Sequence, residues 1–216
     1  MKLRLAFLCI ILSAVVVAQK GTAMVLTYGN NVYDRSFQGQ VNTLDSFQLG
    51  RPLQYIGFGA NGHFVISRKA HVAGHFILGK YLPQQIHFND STNAKLSGST
   101  FGFGYGFDCF NKAEKIDFIL SAGLNLGRMK LTQATNSFTG EKVELSVKNM
   151  FVSPKASAML ILYIQKISLS FNAEYGYDIS ASGWKRKLLS NQESSLNVPG
   201  YNQSGLGFSV GIGRAF

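Results

Sequence analysis

The chain has 216 residues and a formal net charge of +10, from 21 Lys and Arg against 11 Asp and Glu, which by length is one domain carrying a strong basic excess. Its two cysteines, Cys9 and Cys109, are too few for a disulfide framework. Beyond residue 18 no apolar run reaches the roughly 18 residues of a spanning helix, which excludes a helical membrane protein.

Lys2 and Arg4, an apolar core over 5–17 and the small residue Ala18 form a secretory signal peptide over 1–18. The remaining domain is 19–216. Cys9 leaves with the signal, and its position mid-way through the apolar core is not that of a lipid-modified cysteine; Cys109 then stands alone. The charge falls by two when Lys2 and Arg4 are removed. An exported basic chain meets envelope phosphates rather than nucleic acid.

The mature chain alternates apolar and small or polar residues, the period of a strand with one greasy face. A first strand is expected over 22–32, although its apolar residues do not separate by parity. A second, 53–67, puts Ile56, Phe58, Ala60, Phe64 and Ile66 on one face; Arg68-Lys69-Ala70 forms a turn. A third, 71–82, carries Val72, Phe76 and Leu78, and Pro83 is expected to end it before a polar loop to about residue 96. The fourth, 98–110, alternates Phe101, Phe103, Tyr105 and Phe107 with Gly102, Gly104, Gly106 and Asp108.

The fifth strand starts at Ile116, and a polar connection over about 132–146 follows it. The sixth runs through Ala156, Ala158, Leu160 and Leu162, with Pro154 near its beginning. Gln165-Lys166 turns the chain into the seventh, 167–180, the cleanest alternation of all. After a long connection over 181–203, the last strand sets Leu206, Phe208, Val210 and Ile212 against Gly205, Gly207, Ser209, Gly211 and Gly213 and reaches Phe216.

Connections alternate long and short, so the long loops gather at one end and the tight turns at the other. Facing residues of a hairpin share a side. The three-residue and two-residue turns satisfy that parity, and lipid tolerates no open sheet edge. The expected fold is therefore all-β, an eight-stranded antiparallel up-and-down transmembrane β-barrel.

In this alternation of glycine with aromatic residues, and in its terminal Phe216, the chain resembles the small eight-stranded outer-membrane barrels of the OmpA/OmpX type. The resemblance implies a place in the outer membrane of a Gram-negative cell envelope and recognition of Phe216 by the barrel-insertion machinery. The structural rival is a lipocalin-like barrel, with the greasy face turned inward around a ligand.

Two groups of residues stand out. Inside the barrel, the two-residue turn sets Lys155 opposite Gly176 and diagonal to Glu174 and Asp178, a charge network that plugs the lumen. The three-residue turn sets His63 opposite His75; two imidazoles alone make no metal site, and ordinary lumen hydrogen bonding is expected of them. Outside, Lys80, Arg128, Lys130 and Lys148, with the run Trp184-Lys185-Arg186-Lys187, are candidates for a basic collar against lipopolysaccharide phosphates; for each residue taken singly the expected reading is ordinary snorkelling or a solvated loop.

Barrel enzymes that modify lipid A need His with Ser and an acid at the membrane edge. Here only His87 with Asp90 and Ser91 has that composition, so no catalytic residue, metal or cofactor is expected. The expected role is envelope structure, or recognition and adhesion through the loops. The alternatives are a narrow porin-like channel, or a subunit of a secretion or assembly complex with an envelope partner of unknown kind.

Overall fold

A computed structural model describes residues 22–33, 53–63, 72–89, 92–110, 115–136, 142–180, 185–187, 193–195 and 204–216. The signal segment 1–18, the turn Arg68-Lys69-Ala70, and His71, Asp90, Ser91 and Trp184 lie outside those residues.

Eight strands form the wall: β1 (Thr22–Tyr33), β2 (Leu53–Gly62), β3 (Val72–Asn89), β4 (Thr92–Asp108), β5 (Ile116–Asn136), β6 (Lys142–Ile164), β7 (Ile167–Gly176) and, after two short strands, β10 (Gly205–Ala215). Each pairs antiparallel with its neighbour in sequence, and β1 pairs with β10 to close the barrel. The short strands β8 (Lys185–Lys187) and β9 (Glu193–Ser195) form a hairpin on the edge of β6.

The greasy parity faces outward. Leu26, Phe58, Phe107, Leu120, Phe171, Phe208 and Ile212 are all exposed on the outer surface, whereas Thr27, Asn61, His75, Lys155, Ser157 and Ser170 are buried inside. This inverts the arrangement of a soluble ligand-binding barrel, and the lipocalin alternative falls with it. The first strand shows why its parity looked mixed: Ala23 and Val25 are apolar yet point inward, where a narrow lumen accepts small residues.

The hairpins of the long-loop end are longer than the sequence pattern predicts. β3 continues through Pro83 to Asn89 and pairs Gln84–His87 with Asn93–Leu96. The register shifts between Tyr81 and Gln84, so Leu82 and Pro83 sit in a bulge that absorbs the missing N–H. The expected polar connection over 132–146 is likewise mostly ladder, from Thr132↔Ser146 to Asn136↔Lys142.

Pro154 consequently lies deep within β6 rather than near its beginning. Its carbonyl accepts a hydrogen bond from Tyr177 N–H at 2.9 Å, just past the end of β7, so the missing donor faces the side where the β6–β7 ladder stops. At the opposite end the two-residue turn places Gln165 at φ 56°, the left-handed geometry a tight hairpin needs.

The second turn keeps its parity but not its register. Asn61, not His63, pairs with His75, a slip of two residues that preserves which face each side chain takes.

Candidate functional site

Three groups of polar residues are positioned by this wall. The first fills the middle of the lumen. The two-residue turn pairs Ile164 with Ile167, and counting back along both strands brings Lys155 opposite Gly176. Lys155 Nζ then reaches diagonally to Glu174 Oε2 at 2.8 Å, both side chains being almost fully buried. Asn125 Nδ2 donates to Glu174 Oε1 at 3.1 Å and Asn172 Nδ2 to Oε2 at 3.3 Å, so the buried carboxylate is satisfied from three strands. Asp178 is not part of this pair: it caps the end of the strand, its Oδ1 accepting from Ser180 N–H at 2.9 Å and Ser180 O–H at 2.6 Å.

His75 lies beside the pair in a cavity of about 30 Å³ lined also by Tyr55, Asn61, Lys155 and Glu174. Both of its ring nitrogens lack a protein hydrogen-bond partner among the described residues, and a cavity of this size admits one or two waters. Nearer the long loops, the inward side chains Leu53, Tyr55, Tyr81, Leu96, Met129 and Phe151 are buried and form an apolar layer across the lumen.

The second group closes the short-turn end. His63, just past the end of β2, extends its Nε2 to 3.4 Å from Asp108 Oδ2 and 3.6 Å from Asp117 Oδ2. Asp108 Oδ1 accepts from the N–H groups of Phe110 and Phe118, each at 3.0 Å. Tyr163 O–H donates to Asp117 Oδ2 at 2.7 Å. The contact with Asp117 holds the His63 imidazole above its ordinary pKa, with burial working against that rise.

His63 therefore meets Asp108 and Asp117, which carry no motif in the sequence, and not the His75 that the turn length predicts. The only available signal was that Asp108 and Asp117 share the inward parity beside one tight turn.

The third group faces outward. Lys80 and Arg128 occupy one register level, Ile56↔Lys80↔Ser99↔Arg128↔Met150, and both are exposed. They flank a surface groove of about 610 Å³ lined by Phe58, Leu78, Phe101, Leu126 and Met150. One step further toward the long loops, Lys130 pairs with Lys148, and Lys148 with Lys185 of the β8 hairpin. Arg186 pairs with Val147, and Lys187 pairs with Glu193. At the other end Phe216 is exposed, with the Arg214 guanidinium 5.8 Å from its ring centroid. Cys109 is a free, exposed cysteine on the β4–β5 turn, and His87 pairs with Asn93 on the β3–β4 hairpin.

No protein-family profile and no curated protein matches the sequence. Among solved structures, a major outer membrane protein from Thermus thermophilus aligns with a TM-score of 0.59 at 8% identity, covering 90% of this chain and 99% of that one. The chain folds as a small outer-membrane β-barrel. Further matches are Ail of Yersinia pestis, solved with the heparin analogue sucrose octasulfate, at TM-score 0.49 and 11% identity over 92% of this chain and all of that one. Neisserial surface protein A matches at TM-score 0.44 and 12% identity over 90% and 96% of the two chains.

Within this barrel, the outward residues form an exposed apolar belt and the inward ones a packed interior. The short-turn and long-loop ends are chemically distinct: a histidine with two carboxylates at the first, lysines and arginines at the second.

Proposed function

We propose that this protein is an integral outer-membrane barrel of non-enzymatic role, which presents its long-loop end for recognition or adhesion while basic residues hold it among phosphate-bearing lipids. The observation that carries the proposal is the basic tier on the outer face. Lys80 and Arg128 flank an apolar groove, and Lys130 and Lys148 stand in register beyond it. An apolar groove bordered by cations has the chemistry of a lipid acyl chain with its phosphate headgroup. The β3–β4 and β5–β6 hairpins run past this tier and offer paired, rigid edges on which loop chemistry can be displayed.

The partners in this proposal are outer-membrane lipid, lipopolysaccharide phosphates and, during biogenesis, the barrel-insertion machinery. The buried Lys155–Glu174 pair and the apolar layer above it argue against the narrow-channel alternative, because ion flow would have to break the first and pass the second.

The test combines fractionation with electrophoresis. The unboiled protein is expected in the outer membrane as a band that shifts on heating, and a carbonate-soluble periplasmic protein with no shift would refute the proposal. In planar bilayers no stable single-channel steps are expected; reproducible steps would transfer support to the channel. Co-purification of a stoichiometric protein from native membranes would instead point to an assembly subunit.

A further inference from the structure

At the short-turn end, three ligand-type atoms converge from the end of β2, from β4 and from β5. His63 Nε2, Asp108 Oδ2 and Asp117 Oδ2 all lie within 4.8 Å of one another. The two carboxylate side chains are 1% and 8% exposed, while the imidazole is 27% exposed. His63 is the only basic side chain within ion-pair reach of either carboxylate among the described residues. Among the described residues two buried carboxylates thus have one basic side chain within reach, and buried charge left unbalanced is costly.

The spacing is informative. Contacts of 3.4 and 3.6 Å are longer than the roughly 2.7–2.9 Å of a charge-assisted N–H···O hydrogen bond. They match the separation of two ligands on one tetrahedral ion, which bond lengths of about 2.0–2.2 Å put near 3.4 Å.

Two of the candidate ligands are also held from behind. Asp108 is fixed through its other oxygen by two backbone N–H groups and the His63 ring by the backbone of Val72, while the Tyr163 hydroxyl donates to the ligating oxygen of Asp117 itself and leaves that oxygen's second lone pair for an ion. Such outer contacts orient metal ligands and leave the ligating atoms pointing at a common centre.

We propose that His63, Asp108 and Asp117 form a divalent transition-metal site that staples the short-turn end of the barrel. One imidazole and two carboxylates suit an ion of the Zn²⁺ class. Calcium needs about six to eight oxygen ligands and finds too few here. The ion enters from the side of His63, the most exposed of the three ligands, and a water completes its coordination. By linking the end of β2 to the facing ends of β4 and β5, it ties the β2–β3 turn to the neighbouring hairpin. The site does not depend on what the long loops recognise.

The test uses the folded protein in detergent, stripped with a chelator and dialysed. Atomic absorption after Zn²⁺ loading is expected to give one ion per chain. Modification of His63 by diethyl pyrocarbonate, followed by mass spectrometry, is expected to slow about 100-fold at a Zn²⁺ concentration a hundred times the dissociation constant. His87, on the β3–β4 hairpin at the opposite end of the barrel, serves as an internal comparison whose modification rate Zn²⁺ leaves unchanged. Asp117→Asn, nearly isosteric, is expected to abolish stoichiometric loading.

Unchanged modification of His63 under saturating Zn²⁺, or loading that survives in both Asp117→Asn and Asp108→Asn, would overturn the proposal. Because the protection measurement needs only the unmodified chain, a variant that fails to fold leaves the outcome decided.

Discussion

Lys155 on β6 and Glu174 on β7 meet at 2.8 Å in the middle of the lumen, diagonal to one another across the β6–β7 ladder. Removing one partner strands the other charge in a nearly dry interior. Lys155→Met is therefore expected to destabilise the barrel by about 3–5 kcal/mol, with Glu174→Gln closer to the lower figure because the amide still accepts from Asn125. The double change to Met and Gln is expected to recover most of the loss. Urea unfolding in detergent micelles checks this, and additive losses in the double variant would contradict the coupling.

Glycines on the inward face differ in what a methyl group would meet. A Cβ at Gly104 would touch the His75 ring, which can swing into its cavity. A Cβ at Gly123 would collide with the backbone carbonyl of Phe103 on the next strand, which cannot yield without disturbing the ladder. Gly123→Ala is thus expected to cost at least the roughly 1–3 kcal/mol of overpacking, and Gly104→Ala less. Comparing their unfolding midpoints decides it; equal midpoints would mean that the β4–β5 ladder gives as readily as a side chain.

Lys130 and Lys148 stand directly opposite each other on the outer face. Like charges so placed repel by a few tenths to about 1 kcal/mol. In zwitterionic detergent, Lys130→Glu is expected to stabilise the barrel slightly. In bilayers containing lipopolysaccharide the sign is expected to reverse, because the anion that bridges the pair is lost. A variant that shifts in the same direction in both media would remove the support for a phosphate contact.

The long hairpins make a prediction about local stability. Amides of 84–87 and 93–96 lie in a paired ladder beyond the Tyr81–Gln84 bulge. Slow hydrogen exchange is expected there, within a few orders of magnitude of the membrane belt, instead of the rates of an open loop. Deleting Pro83 would remove the extra residue of the bulge, leaving Leu82 opposite Ser97 and Gln84 still opposite Leu96, so the faces beyond it are kept and the protection is expected to persist; fast exchange there with the belt intact would mean that the bulge itself holds the extension in place.

The membrane face was legible from parity alone. Leu206, Phe208, Val210 and Ile212 share one side of the last strand because side chains alternate with period two, and the structure exposes all four. The Lys155–Gly176 alignment was legible too, since a two-residue turn leaves no freedom in counting back from it. The β2–β3 turn is different: its length sets parity but permits a slip of two, and the slip takes His63 away from His75.

Pro83 misled because a missing N–H usually ends a strand, whereas here a bulge absorbs it and the hairpin goes on. Pro154 misled for the same reason. Its unpaired side faces the place where β7 ends, a fact that belongs to a neighbouring strand and not to the residues around the proline.

A closed barrel with a greasy exterior was already written into the chain, because alternation, turn length and the absence of a spanning helix are local properties. The company each polar residue keeps was not, and it emerged only on folding. Asp108, Asp117 and Tyr163 come from three strands, and His63 from just past the end of a fourth. Whether they meet depends on the stagger of the strands around the closed wall, which no local pattern encodes.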